Sequence, residues 1–160
     1  MPCMERLPNS ITRGHEEPFA VQFSIFLANR VGQLHELLTR FAEKDVDVLG
    51  VSVVDSTDWA VIRIVFSDPN KAREILRSSS LPFTESNVLL VALAANDSLS
   101  AACGHLLGAE INVHFAYPLM IRTDNSPVMV FHVDDLVTAR QVLARHGFKL
   151  LGHEDLTDIG

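Results

Sequence analysis

The sequence predicts an α+β fold of two consecutive βαββαβ units, each an antiparallel sheet with its helices on one face. Three observations predict it. An apolar helical stripe recurs once along the chain at a fixed offset, the mark of an internal repeat. Each copy runs strand, helix, strand, strand, helix, strand. The strand segments alternate apolar and polar residues with period two, whereas the helical segments have apolar residues three and four apart.

The repeat is read residue by residue. Leu34, Leu37, Leu38 and Phe41 lie on one helical face, and 65 positions later stand Leu99, Ala102, Cys103 and Leu106. At the same offset Asp45-Val46-Asp47-Val48 matches Glu110-Ile111-Asn112-Val113. Asp68 then matches Asp134, Ala72-Arg73 matches Ala139-Arg140, and Ile75-Leu76 matches Val142-Leu143. Phe83 matches Phe148. Short loop insertions account for the drift in offset.

In the first copy, Phe19 to Leu27 reads as a strand, since Phe19, Val21, Phe23, Ile25 and Leu27 alternate with Ala20, Gln22 and Ser24. A tight loop from Ala28 to Gly32 leads into a helix over Gln33 to Lys44, followed by strands at Leu49 to Val54 and Ala60 to Phe66 around a polar turn. Asp68 and Pro69 open a second helix as N-cap and first helical residue. Ser78 to Ser80 end it, and Phe83 to Glu85 is a short fourth strand. In the second copy, Val88 to Leu93 is a strand and Leu99 to Leu107 a helix closed by Gly108. Val113 to Leu119 and Val128 to Val133 form a hairpin around Thr123 to Ser126. Asp134 or Asp135 caps a helix reaching His146, and Phe148 to Leu151 is the last strand. Such split βαβ units are ferredoxin-like. Val48, Val54 and Phe26 point away from the helix-facing set, which predicts sheet-to-sheet contact, within the chain or between chains. The expected division is a leader over 1–18, a first unit over 19–86 and a second over 87–157.

Composition excludes several classes. With 48% hydrophobic and 21% charged residues in 160, the chain has enough apolar material for a core. Twenty acidic against 13 basic residues give a net charge of −7, which argues against a nucleic-acid surface. No apolar run approaches the ~20 residues that span a bilayer. Cys3 and Cys103 make no disulfide framework, so a cytoplasmic location is expected. Cys103, on the apolar helix face, reads as a small core residue.

Asn29-Arg30-Val31-Gly32-Gln33-Leu34, between the first strand and first helix, resembles the corresponding loop of the ACT domain. The steps Asp45-Val46-Asp47-Val48 and Glu110-Ile111-Asn112-Val113 resemble that family's passage from helix to second strand. The resemblance covers roughly residues 19 to 156, and the chain is similar to stand-alone tandem ACT proteins. It implies a non-enzymatic regulatory protein that binds an amino acid or similar small ligand at an interface between ACT-like domains, as a homodimer, acting on a regulated enzyme partner. It also implies that the loop of one domain faces the second strand of another, so that Ser52 and Val53 or Ala116 and Tyr117 form an opposing wall.

The chemistry of the loop agrees. A helix N-terminus offers unpaired amides and a partial positive charge to a carboxylate. Gly32 lets a ligand approach the backbone, Asn29 can cap the helix or bind an amino group, and Arg30 attracts a carboxylate. The same residue types also make an ordinary strand-to-helix turn. The second loop, Ala95-Asn96-Asp97-Ser98-Leu99, is two residues shorter and lacks a counterpart of Gly32. Asp97 stands in place of Arg30 and repels a carboxylate. That loop is either degenerate or differently specific.

The alternatives are a structural or interaction module with a decayed site, and a metal-binding ACT-like sensor. His114 and His132 fall on neighbouring strands, yet two histidines without a third ligand read as surface or interface residues, and no metal or cofactor is expected. Tyr117-Pro118 lines a pocket or marks an edge or bulge. No catalytic set stands out. Ala28 to Leu34 lacks the glycine-rich phosphate loop of acylphosphatases, and Ala60 to Phe66 lacks the exposed aromatics of RNA-recognition modules until its last residue.

Overall fold

The computed structural model of the chain describes residues 19–28 and 30–157. The leader expected over 1–18 lies outside them, as does Asn29. The first unit comprises β1 (Phe19–Ala28), α1 (Gln33–Glu43), β2 (Val48–Asp55), β3 (Trp59–Phe66) and α2 (Pro69–Ser79). The strand β4 (Phe83–Ala92) follows, then α3 (Leu99–Gly108), β5 (Val113–Thr123), β6 (Ser126–Val133), α4 (Leu136–Arg145), β7 (Lys149–Leu151) and α5 (His153–Thr157). The strands join in the order β2-β3-β1-β4-β6-β5, with β7 beside β4, and all pairings are antiparallel.

The two strands expected either side of residues 86 and 87 are one. Phe83 to Leu89 of β4 pairs with β1, and Leu89 to Ala92 pairs with β6. One strand is thus the last of the first unit and the first of the second. The expected division at 86/87 falls within it.

Each helix pair covers its own half of the sheet. Leu37 and Phe41 of α1 and Ala72, Ile75 and Leu76 of α2 pack on Phe23, Ile25, Ile62 and Ile64. Ala102 and Leu106 of α3 and Ala139, Val142 and Leu143 of α4 pack on Leu89, Val91 and Phe131. The two sheet faces without helices meet each other. Ala20, Leu49, Val65 and Val88 from the first half share one buried core with Tyr117, Leu119, Val128 and Val130 from the second. The layers run helices, sheet, sheet, helices. The expected sheet-to-sheet contact is therefore made within the chain.

The residues that make it differ from those expected. A bulge between Val48 and Gly50 interrupts the alternation of β2, so Val48 packs with the helices and Leu49 turns to the other sheet. Val54 is 45% exposed, and Phe26 is half-buried. Gly50 marks the closest approach, since a Cβ there would stand 2.5 Å from Leu119 Cδ2. A polar bond crosses this core: Tyr117 Oη donates to Oε1 of the fully buried Gln22 at 2.6 Å. Nearby, the Arg63 guanidinium lies 3.8 Å from the ring centre of Phe115, and the His132 ring stacks on Phe115 at 4.6 Å.

The repeat extends to single hydrogen bonds. Val46 N–H donates to Phe41 O as Ile111 N–H does to Leu106 O, and Asp45 and Glu110 share a left-handed φ of 59° and 58°. Asp47 N–H donates to Ser67 Oγ where Asn112 N–H donates to Asp134 Oδ1. This corrects one sequence match: Asp134 corresponds to Ser67, and the counterpart of the N-cap Asp68 is the N-cap Asp135. A second correction concerns Cys103, which is exposed, as is Leu99 at 42%. The buried sector of α3 centres on Ala102 and Leu106, four residues apart, and Cys103 stands about 100° round from Ala102. The short α5 had no periodic signal in the sequence. Its Leu156 closes one end of the sheet-to-sheet core.

Candidate functional site

The first loop borders a cleft of about 230 Å³. Arg30, Gln33 and Leu34 line it from the loop and the start of α1. Leu27 and Ala28 line it from β1, Val53 and Asp55 from β2, and Ala60 and Ile62 from β3. Sheet register assembles the floor. Ala60 of β3 is opposite Leu27 of β1 and Asp55 of β2, and Ile62 is opposite Val53. Paired residues share a face, here the helix-covered one, so the cleft is the end of that face left open where α1 begins.

Gly32 is the N-cap of α1, with φ 87°, a left-handed conformation that glycine adopts without strain. Having no side chain, it supplies no acceptor to the first turn. The Gln33 N–H is bonded to Arg30 O at 3.3 Å. The other principal helices cap themselves: Asp68 accepts from Lys71 N–H, Ser98 from Ala101 N–H and Asp135 from Thr138 N–H. Among the described residues, α1 alone of these helices has no side chain capping its first-turn amides. Glu36, the acid in that turn, reaches Arg40 at 3.4 Å.

Of the residues singled out from sequence, Arg30, Gln33, Leu34 and Val53 come together at the cleft, and Gly32 sits at its edge. Val31 is fully exposed. Ser52 points to the opposite sheet face, where it pairs with Arg63. Ala116 is exposed on the second half, and Tyr117 is buried against Gln22, well away from the cleft. Leu27, Asp55, Ala60 and Ile62 were not anticipated. The alternation of β1 and β3 is readable in sequence, but the pairing that aligns these residues is not.

The second loop is built differently. Asp97 Oδ2 accepts from Ala94 N–H at 3.1 Å and the Asp97 N–H returns to Ala94 O at 2.9 Å. Ser98 Oγ accepts from Ala101 N–H at 3.0 Å. One first-turn donor of α3, the Ala101 amide, is thus met by the chain itself. Asn96 is exposed at the tip of this turn.

A larger hollow of about 490 Å³ lies beside α2, lined by Lys44, Lys71, Glu74, Ile75 and Ser78. Its Lys71 ammonium already donates to Lys44 O at 3.0 Å. His114 and His132 have ring centres 5.3 Å apart. Burial, then His114 and Arg63, hold the His132 imidazole below the ordinary histidine range. Among the described residues no group of three or more His, Cys, Asp or Glu could hold a metal ion. No helix among them is long and apolar enough to cross a membrane.

Residues 19–159 match the family described as an ACT domain pair. A protein from Bacteroides thetaiotaomicron of known structure superposes with a TM-score of 0.78 at 23% identity, covering 88% of this chain and 96% of that one. The ligand-free regulatory subunit of aspartate kinase from Thermus thermophilus gives 0.56 at 11% identity, with 81% and 93% covered. The corresponding subunit from Thermus flavus gives 0.52 at 13%, with 79% and 91% covered. No curated protein sequence matches the chain.

Proposed function

Because this chain belongs to the ACT domain pair family, we propose that it is a non-enzymatic regulatory protein that binds an amino acid in the first-loop cleft. One observation carries the reading: the uncapped start of α1 opens beside Arg30 onto a cleft of metabolite size, about 230 Å³. The α-carboxylate is placed against the first-turn amides and Arg30, and the remainder of the ligand over Val53 and Ile62. Val31 and Gly32 flank the entrance, and Asn29, outside the described residues, is proposed as a further ligand residue. The second loop is a degenerate copy. Asn96, Asp97 and Ser98 keep the scaffold, but Ser98 occupies the first-turn amide of Ala101, and Asp97 ties the turn back to Ala94.

The chain works as a dimer. Val31 and Val53 are 105% and 49% exposed beside the cleft, and apolar exposure of this kind calls for cover by a second copy. Ser52, Ala116 and Tyr117 have no place in the cleft of one chain, so any role for them runs through such an assembly. The two units are taken as 19–86 and 87–157, after a leader over 1–18, and the location as cytoplasmic. Ligand binding favours one arrangement of the assembly, which a regulated enzyme partner reads.

The test is the melting temperature of the full chain against each of the twenty amino acids. A ligand at a hundredfold excess over Kd adds about 2.7 kcal/mol of stability, a shift of several degrees. At least one amino acid should give that shift, and Gly32→Leu should remove it. A folded chain that none of them shifts would contradict the reading.

A further inference from the structure

We propose that the first-loop cleft selects an amino acid with a compact, branched aliphatic side chain over polar, charged or aromatic ones. This rests on the amino-acid reading above and adds the side-chain class.

The chemistry of the cleft is divided in space. Its charged and amide groups, Arg30, Gln33 and Asp55, stand at the rim, with Arg30 and Asp55 exposed. Its floor is aliphatic. Leu27 and Ile62 are 2% and 1% exposed and belong to the helix-side core, so their positions are fixed by packing. Ala60 and Val53 continue that surface, and Leu34 closes it from α1. Among the described residues, no aromatic side chain lines the cleft.

A zwitterionic head meets the charged rim, which leaves the side chain to the aliphatic floor. A hydroxyl, carboxylate or ammonium placed there loses water and gains no partner. Size narrows the choice further. The cleft, about 230 Å³, is smaller than the roughly 300–1,000 Å³ that drug-sized ligands occupy. A head group with three or four aliphatic carbons fits, and the lining offers a ring no aromatic side chain to stack on. Ala60 sets the depth, because its methyl is all that separates the ligand from β3 at that row. One methylene in such a pocket discriminates roughly 10–200-fold.

The experiment is calorimetric titration of the full chain with valine, leucine, isoleucine, serine, aspartate, lysine and phenylalanine. The expected result is binding of at least one branched aliphatic amino acid at least tenfold tighter than any of the other four. Ala60→Val should weaken leucine at least tenfold more than it weakens alanine. Val53→Asp, at a half-exposed wall position that tolerates polarity, should weaken leucine at least tenfold while the far-ultraviolet circular dichroism stays unchanged. Tighter binding of serine, aspartate, lysine or phenylalanine than of any aliphatic overturns the side-chain class and leaves the amino-acid reading standing. Unchanged leucine affinity in a folded Val53→Asp chain overturns the placement of the side chain. No binding by any amino acid overturns both.

Discussion

The two loops that precede α1 and α3 occupy the same place in two copies of one unit, yet they end their helices in opposite ways. At α1 the N-cap is Gly32, in a left-handed conformation and with no side chain to offer. At α3 the N-cap is Ser98, whose hydroxyl takes the Ala101 amide, and Asp97 ties the turn to Ala94. The first arrangement leaves donors open beside a cleft, and the second consumes them. The difference teaches that a repeated fold does not repeat its chemistry: a two-residue deletion and one capping serine convert an open helix end into a closed one. The scaffold around both loops is unchanged, down to matching hydrogen bonds at Val46 and Ile111.

If the loops differ while the core is common property, damage to the core should lower stability whichever loop is open. Gly50→Val should have the largest effect. Its branched side chain meets the buried Leu119 and forces β2 and β5 apart, at a cost of about 1–3 kcal/mol or more, read as a lower denaturant midpoint. Tyr117→Phe comes next. It leaves the Oε1 of the fully buried Gln22 without its 2.6 Å partner, a cost of about 1–3 kcal/mol. Neither variant should alter which amino acid binds.

The loops themselves are separated by smaller changes. Gly32→Leu forces a side chain into φ 87°, which costs roughly 1–2 kcal/mol and should abolish ligand-induced stabilisation. Ser98→Ala should cost about 1 kcal/mol and leave that stabilisation intact. A chain in which Ser98→Ala removed the ligand effect and Gly32→Leu spared it would reverse the assignment.

The smallest effect is on pH. Burial, His114 and Arg63 hold His132 below its ordinary value, and burial does the same to His153. The folded chain therefore takes up these protons less readily than the unfolded one. Stability is complete above the unfolded histidine pKa, about 6.5, and declines as pH falls through it. Glu85 and Asp135 are lowered as carboxylates and act only at more acid pH, so they do not contribute in this window. Thermal melts between pH 7.5 and 5.5 should fall with acidity, and His132→Leu should flatten part of that slope.

Much of the fold was legible because helical and strand periodicities are local. The stripe from Leu34 to Phe41, the cap at Asp68, a cap at Asp134 or Asp135 and the repeat itself could be read directly. What escaped was set by pairing and packing. Ser86 and Asn87 fall between the two expected strands but lie inside β4, because β1 pairs across them. The bulge at Val48 to Gly50 put Val48 on the helix side, where the opposite face was expected. Cys103 read as core on spacing alone, and the seating of α3 left it outside. At the candidate site, Arg30, Gln33 and Leu34 were visible in the motif, whereas Val53, expected to face the loop of another domain, lines the cleft of its own unit. Leu27, Asp55, Ala60 and Ile62 became a floor only once three strands came into register.

The central claim is that the first loop binds and the second does not. A nuclear magnetic resonance titration of the isotope-labelled chain with leucine tests it most directly. The amides of Gln33, Leu34 and His35 should shift progressively to saturation, while those of Leu99, Ser100 and Ala101 stay in place. Saturable shifts at Leu99 to Ala101 with none at Gln33 to His35 would contradict it.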